Sequence, residues 1–180
     1  MSIGGRTPYE PRDQWAVLPD GRLGVARVAP YRAEWVGGGA PVSGPAVAYQ
    51  PVRIGSAEKN AWADQVAARG IQVVADDRGR RTQRAPRPDI DRQQWPEAMP
   101  PFSGPGAVLA SPAGELWVLK TRPADAPGRT YDVFDARGRL TRRVTLEGER
   151  TILGFGPGVV FVSYENEDDL LWIERYRMPT

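Results

Sequence analysis

Residues 107–121 read AVLASPAGELWVLKT, and the same grammar recurs at 15–28, WAVLPDGRLGVARV, and at 152–164, ILGFGPGVVFVSY. Each stretch is an apolar run, a glycine-containing turn and a second run with large apolar residues. The turns are Pro19-Asp20-Gly21, Ser111-Pro112-Ala113-Gly114 and Gly156-Pro157-Gly158. Glycine supplies positive φ and proline presets the first central position of a tight turn, so each stretch is predicted to fold as a β-hairpin.

Each hairpin is followed by further strand-like sequence. After the first come YRAEWV (31–36), the glycine turn Gly37-Gly38-Gly39 and AVAYQPVRI (46–54). After the second come TYDVFD (130–135), the turn Ala136-Arg137-Gly138-Arg139 and LTRRVTLE (140–147). After the third come the acidic turn 165–169 and DLLWIERYRM (169–178). Apolar and polar residues partly alternate in TYDVFD and DLLWIERYRM, as on half-buried strands. The first two segments therefore offer four strands each and the third offers three. Starts at 107 and 152 fit four short antiparallel strands in about 40–50 residues, the spacing of propeller blades.

Between the first two segments, SAEKNAWADQVAARG (56–70) reads as a short helix. Ser56 is its expected cap, Glu58 suits the first turn and Gly70 suits the position just past the end. Trp62 and Val66 give it a small apolar face. IQVV (71–74) has the composition of a strand, and 76–101 reads as an irregular polar connection with room for one more short strand.

The whole is an all-β class with one inserted helix. Its expected organisation is a single partial propeller: blade-like at 13–54, helix and connection at 55–101, blade-like at 102–148, and an incomplete last blade at 149–178. The composition agrees: 41% apolar and 26% charged residues mark a globular chain, and 20 glycines and 18 prolines mark a turn-rich one. Proline breaks helices and central ladders, which argues against long helices.

The chain has no cysteine and no histidine. That excludes disulfides, thiolate chemistry, Ser-His-Asp triads and most zinc or iron sites. An enzyme built here would use carboxylate, Tyr, Lys or Ser chemistry, or a carboxylate-held metal. The net charge is only +2, and Lys59 and Lys120 are the only lysines among 24 basic residues. No strong positive field follows from that balance. No segment reads as a membrane span: the best, 152–162, is interrupted by Gly154, Gly156, Pro157 and Gly158. The opening MSIGGRTPYEP has no apolar run of the signal-peptide kind.

These residues carry a resemblance. WAVLPDGRLGVARVAPYRAEWV, AEKNAW, PPFSGPGAVLASPAGELWVLKT and 131–178 from YDVFD to ERYRM resemble the last blades of bacterial six-bladed β-propeller proteins of the NHL/TolB-like kind. The resemblance covers 13–178 and rests on turn-and-strand patterns, which specify fold rather than activity. It implies an exported, periplasmic or extracellular full-length protein. Six blades are implied and three are visible, the last with three strands. The expectation is therefore a C-terminal portion of a longer protein, or a half-ring completed by a second copy through its open blade edges.

The candidate sites each have a plain structural account. Glu165-Asn166-Glu167-Asp168-Asp169 offers oxygens to Ca²⁺ but lacks the spacing of a calcium loop, so a solvated turn is expected. Arg78, Arg80, Arg81, Arg84 and Arg87 could meet phosphate, yet no aromatics interleave them and Asp76, Asp77, Asp89 and Asp91 offset their field. Asp20-Gly21-Arg22 and Ala136-Arg137-Gly138-Arg139 are turn chemistry. Gly37-Gly38-Gly39 and 154–158 are not followed by the Lys-Ser/Thr and helix of a phosphate loop. Asp132 and Asp135 fall on different strand faces, so their closeness implies no shared site. Trp15, Trp35, Trp117, Trp172, Phe134, Phe155 and Phe161 are expected between stacked blades as core.

No cofactor or metal is expected from these motifs, and they assign no catalytic residue. The leading expectation is a non-enzymatic module presenting loops to a protein, peptide or glycan, with no nucleic-acid partner. The alternative is a metal-dependent hydrolase or lactonase-like propeller, with Glu, Asn and Asp from several innermost strands in the channel. The innermost stretches WAVLP, AVLA and ILGF carry no carboxylate.

Overall fold

The computed structural model describes residues 7–76, 79–166, 168 and 170–178. The fold is mostly β. The first sheet holds β1 (Gln14–Val17), β2 (Leu23–Arg27), β3 (Arg32–Val36) and β4 (Val42–Ser43) in sequence order. Helix α1 (Ser56–Arg69) and the hairpin β5 (Ile71–Asp76) and β6 (Gly79–Arg84) follow, then a single 3₁₀ turn at Ile90–Arg92. The second sheet is β7 (Val108–Ala110), β8 (Leu116–Leu119), β9 (Arg129–Phe134) and β10 (Leu140–Leu146). The third is β11 (Thr151–Gly156), β12 (Val159–Glu165) and β13 (Leu171–Arg177). Every paired neighbour is antiparallel. Among the described residues, no helix is long and apolar enough to cross a membrane.

All three predicted hairpins form where the turn residues place them. The first and second meanders close through polar caps rather than chance contacts. Asp20 accepts from Arg22 N at 3.0 Å, and Asp135 accepts from Arg137 N and Arg139 N at 2.8 and 2.9 Å. These are the side-chain-to-backbone bonds that make Asp a turn residue.

The fourth strand of the first sheet departs from expectation. AVAYQPVRI was expected to supply it, but β4 is only Val42–Ser43 and pairs with Trp35 and Glu34. Pro41, Pro45 and Pro51 cannot donate to a ladder, so pairing cannot be sustained through this stretch. The chain instead makes two further backbone bonds alongside, Gly44 N to Ala33 O of β3 at 2.9 Å and Val47 N to Tyr31 O, just before β3, at 2.7 Å. It then bridges forward, with Met99 N to Val52 O at 2.8 Å and Ile54 N to Glu97 O at 3.1 Å.

The helix also differs at its ends. Ser56 is its first residue rather than its cap; Gly55 precedes it, and the Glu58 carboxylate accepts from Gly55 N at 2.9 Å. Gly70 is extended, not left-handed, and its N–H closes onto Val66 O at 2.8 Å. The connection expected to be irregular contains strand β6, paired along its length with β5.

The sheets stack face to face. Ala26, Ala33 and Trp35 of the first pack on Leu116, Val118 and Phe134 of the second, with Leu18, Tyr31 and Phe102 filling the same layer. The opposite face of the second sheet, with Trp117, Tyr131 and Val133, packs on Ile152 and Val162 of the third. Two apolar layers therefore serve three sheets. The aromatic expectation holds only in part. Trp35, Trp117 and Phe134 are buried, but Trp15 is 63%, Trp172 51% and Phe161 36% exposed: Trp15 and Phe161 lie on faces that no other described sheet covers, and Trp172 lies on the edge strand β13.

One register recurs. A valine of an inner strand lies opposite an acid of the next strand in each of the three stacked sheets: Val25 and Glu34, Val118 and Asp132, Val162 and Glu174. Each acid is held by arginine: Glu34 by Arg27 and Arg32, Asp132 by Arg143, Glu174 by Arg150. The repeat glimpsed in the turns is thus carried into side-chain pairs.

Candidate functional site

Concavities open on this frame in two places that matter here. The first, of about 300 Å³, lies where β1, β7 and β11 converge and is lined by Val17, Leu18, Pro19, Leu109, Ala110, Ser111, Pro112, Gly154 and Phe155. Its one side-chain polar group is the Ser111 hydroxyl, which already accepts from Glu115 N at 3.3 Å. An apolar wall with one satisfied hydroxyl can hold an apolar group but has no acid or base to react with it.

The second concavity is a polar groove of about 200 Å³ between α1 and the loop that joins β8 to β9. Tyr9, Trp62 and Met99 give it apolar surface; Lys120, Arg122, Arg129, Glu58 and Glu149 give it charge. Glu58 sets its width. Its carboxylate accepts from Gly55 N at the helix start and from Ala124 N in the loop, at 2.9 and 3.3 Å. Its own backbone N–H, Gly55's and Ala124's together hold that carboxyl below the usual range. Tyr9 donates from its hydroxyl to Glu58 O at 3.2 Å, and burial, then the Glu58 charge, push its phenol up to about 12. It stays neutral and acts as a donor.

Glu149 lies at the far rim. Arg122 Nη2 donates to one of its oxygens at 2.5 Å and Arg129 Nη2 to the other at 3.1 Å. Burial opposes its ionisation, but the two guanidiniums overcome that and leave the carboxyl lowered. Arg122 is oriented by a further bond to Ala126 O. Thr121 pins the start of the loop, Oγ1 to Pro100 O at 2.6 Å and N to Pro101 O at 3.0 Å. The Arg129 Nε is buried without a partner, and Lys120 makes no ion pair, among the described residues. The groove therefore carries surplus donors beside an aromatic floor.

The residues that sequence reasoning singled out are not brought together here. Asn166 folds the acidic run into a turn by accepting from Asp168 N and Leu170 N at 3.2 and 2.9 Å; Glu167 and Asp169 lie outside the described residues. Of the basic run, Arg87 is tied to α1 through Asp64 and Asn60, both at 2.6 Å. Arg78 and Asp77, and the side chains of Asp76, Arg80, Arg81 and Arg84, lie outside what is described. Asp132 is buried between sheets while Asp135 caps a turn. No group of three carboxylates gathers among the described residues. The groove residues come from five separated stretches. The one signal in the sequence was the clustering of Lys120, Arg122 and Arg129 around a proline-rich loop.

No family model, characterised protein or solved structure matches this chain.

Proposed function

We propose that this chain is a β-propeller-type binding module of the NHL/TolB-like kind, and that it takes an extended peptide segment carrying a carboxylate in the groove between α1 and the loop after β8. The serial order of the sheets supports the fold reading. So does the convergence of β1, β7 and β11 around one cavity, since blades put their first strands at the centre of a ring.

The observation that carries the ligand is Glu149. It is well exposed, yet both its oxygens lie on Arg122 and Arg129. Two convergent guanidinium groups make a carboxylate site, and here an internal side chain occupies it. A peptide carboxylate would take that place, its carbonyls would meet Lys120 and its apolar neighbours would lie on Trp62 and Tyr9. A neutral saccharide offers hydroxyls but no charge to match the pair, and an extended peptide also supplies carbonyls and apolar side chains for Lys120, Trp62 and Tyr9.

The test is a titration of a labelled, end-blocked hexapeptide with one central glutamate against its glutamine counterpart. Saturable binding of the glutamate peptide in the micromolar-to-millimolar range is expected, weakened by salt. Arg122→Ala should weaken it and Glu149→Gln, which removes the competitor, should tighten it. Equal binding of the two peptides, or tightening by neither variant and loss by neither, overturns the reading.

A further inference from the structure

The repeated valine–acid pair gives each of the three stacked sheets a direction. The face bearing it, the front, belongs in the second sheet to Val108, Ala110, Val118 and Asp132, and the back of the first sheet covers it. In the third sheet it belongs to Ile152 and Val162, and the back of the second sheet covers it. Both internal contacts are therefore back on front. Among the described residues, two faces remain without a sheet: the front of the first and the back of the third.

Both carry apolar residues at the positions that the internal contacts bury. Aligned on the valine–acid pair, Trp15 and Val17 of β1 take the places of Val108 and Ala110. Val108 is buried, whereas Trp15 and Val17 are 63% and 59% exposed. On the third sheet, Phe161 and Ile173 take the places of Trp117 and Tyr131. Those two are buried under the third sheet, whereas Ile173 is 64% exposed, with Leu153 beside it at 53%.

We infer that a second copy of this chain covers these faces, the front of its first sheet seating on the back of the third. The occupant follows from continuity. The contact would repeat a geometry that the chain already makes twice, and the two open faces are the matching halves of it. Such a contact joins two different surfaces, so it propagates head to tail and closes only when each copy contributes both. Paired polar edges then remain outside, and the large apolar side chains leave water. The inference stands on the repeat and not on the peptide groove, so each can fail alone.

The experiment is a mass measurement by sedimentation on the full chain over roughly a hundredfold range of concentration. An assembly larger than a monomer is expected. Trp15→Lys removes the front and Ile173→Lys the back; both side chains are exposed, and circular dichroism confirms that the fold is kept. Each variant alone should be monomeric. Mixed in equal amounts, they should form a species of twice the monomer mass, because one intact front meets one intact back. A monomeric parent chain overturns the inference. So does a variant that still assembles alone, which would place like face on like face, or a mixture that stays monomeric.

Discussion

The hydroxyl of Tyr31, in the turn that leads into β3, donates to Asp132 Oδ2 of the second sheet at 2.9 Å, and Asp132 is wholly buried. Arg143 Nε donates to the other oxygen at 2.9 Å. Burial, then the Asp132 charge, raise the Tyr31 phenol far above its ordinary value, so it remains a donor at any pH the fold survives. This bond is polar in an otherwise apolar layer, and it fixes how the two sheets register on each other.

Removing either partner should be costly in an unequal way. Tyr31→Phe keeps the ring packing with Phe102 and Phe134 and loses one bond to a charged acceptor, about 1–3 kcal/mol. Asp132→Ala leaves the buried hydroxyl without its acceptor and opens a small cavity, about 2–5 kcal/mol, while the half-exposed Arg143 guanidinium turns to water. Chemical denaturation should show the midpoint falling with an unchanged slope. Equal losses for the two variants would mean that Asp132 holds the sheets through Tyr31 alone.

The second link between these sheets is backbone against backbone. Gly138 has φ of 74°, and a Cβ there would lie 2.6 Å from Gly44 Cα. Gly114 has a similar φ of 78° but open space around it. Gly114→Ala should cost about 1–2 kcal/mol, the strain of the left-handed conformation alone. Gly138→Ala carries that strain and forces the sheets apart, so it should cost several kcal/mol more or prevent folding. Similar thermal midpoints for the two variants would remove the close approach as a determinant.

Glu58 should make stability depend on acid pH. Its folded carboxyl lies below the usual value, so its contribution is complete above the unfolded value near 4.5 and is lost as pH falls through the folded one. Glu58→Gln should therefore be less stable than the parent at neutral pH, and the gap should close toward strongly acid pH. Urea titrations at a series of pH values measure it. A gap independent of pH would mean that the side chain acts by shape rather than charge.

Two tryptophans that look alike in sequence should behave oppositely. Trp117 packs on Tyr131 and Phe155, donates from Nε1 to Glu115 at 3.2 Å and lies under Arg142. Trp117→Ala should cost about 3–5 kcal/mol. Trp15→Ala removes an exposed side chain and should change the stability of the monomer by less than about 0.5 kcal/mol. Denaturant midpoints measured at low protein concentration compare them directly.

Much of the secondary structure was legible because it is local. Pro-Asp-Gly and Ser-Pro-Ala-Gly dictate hairpins by their own dihedral preferences, and the 56–69 helix follows from a proline-free stretch of good helix formers. The failures are equally instructive. AVAYQPVRI has the composition of a strand, but Gly44 must press against Gly138 and prolines flank it, so no ladder forms. Ser56 has the chemistry of a cap, but Glu58 reaches back to Gly55 first and shifts the helix start by one residue. Beyond the clustering of Lys120, Arg122 and Arg129 the groove was not legible, since Glu58, Arg122, Arg129 and Glu149 belong to no common motif.

The sequence by itself determined where the chain turns, that its strands pair as antiparallel meanders, and which histidine- and cysteine-based chemistries are closed to it. Those properties depend on dihedral preferences and on composition, which need no distant partner. Only the tertiary structure decided which apolar faces are covered. Alternation along a strand defines two faces without ranking them, and Trp35 and Trp15 differ only in whether another sheet lies opposite. It likewise decided that Glu34, Asp132 and Glu174 are one repeated position, because equivalence across sheets is set by register between strands and not by spacing along the chain.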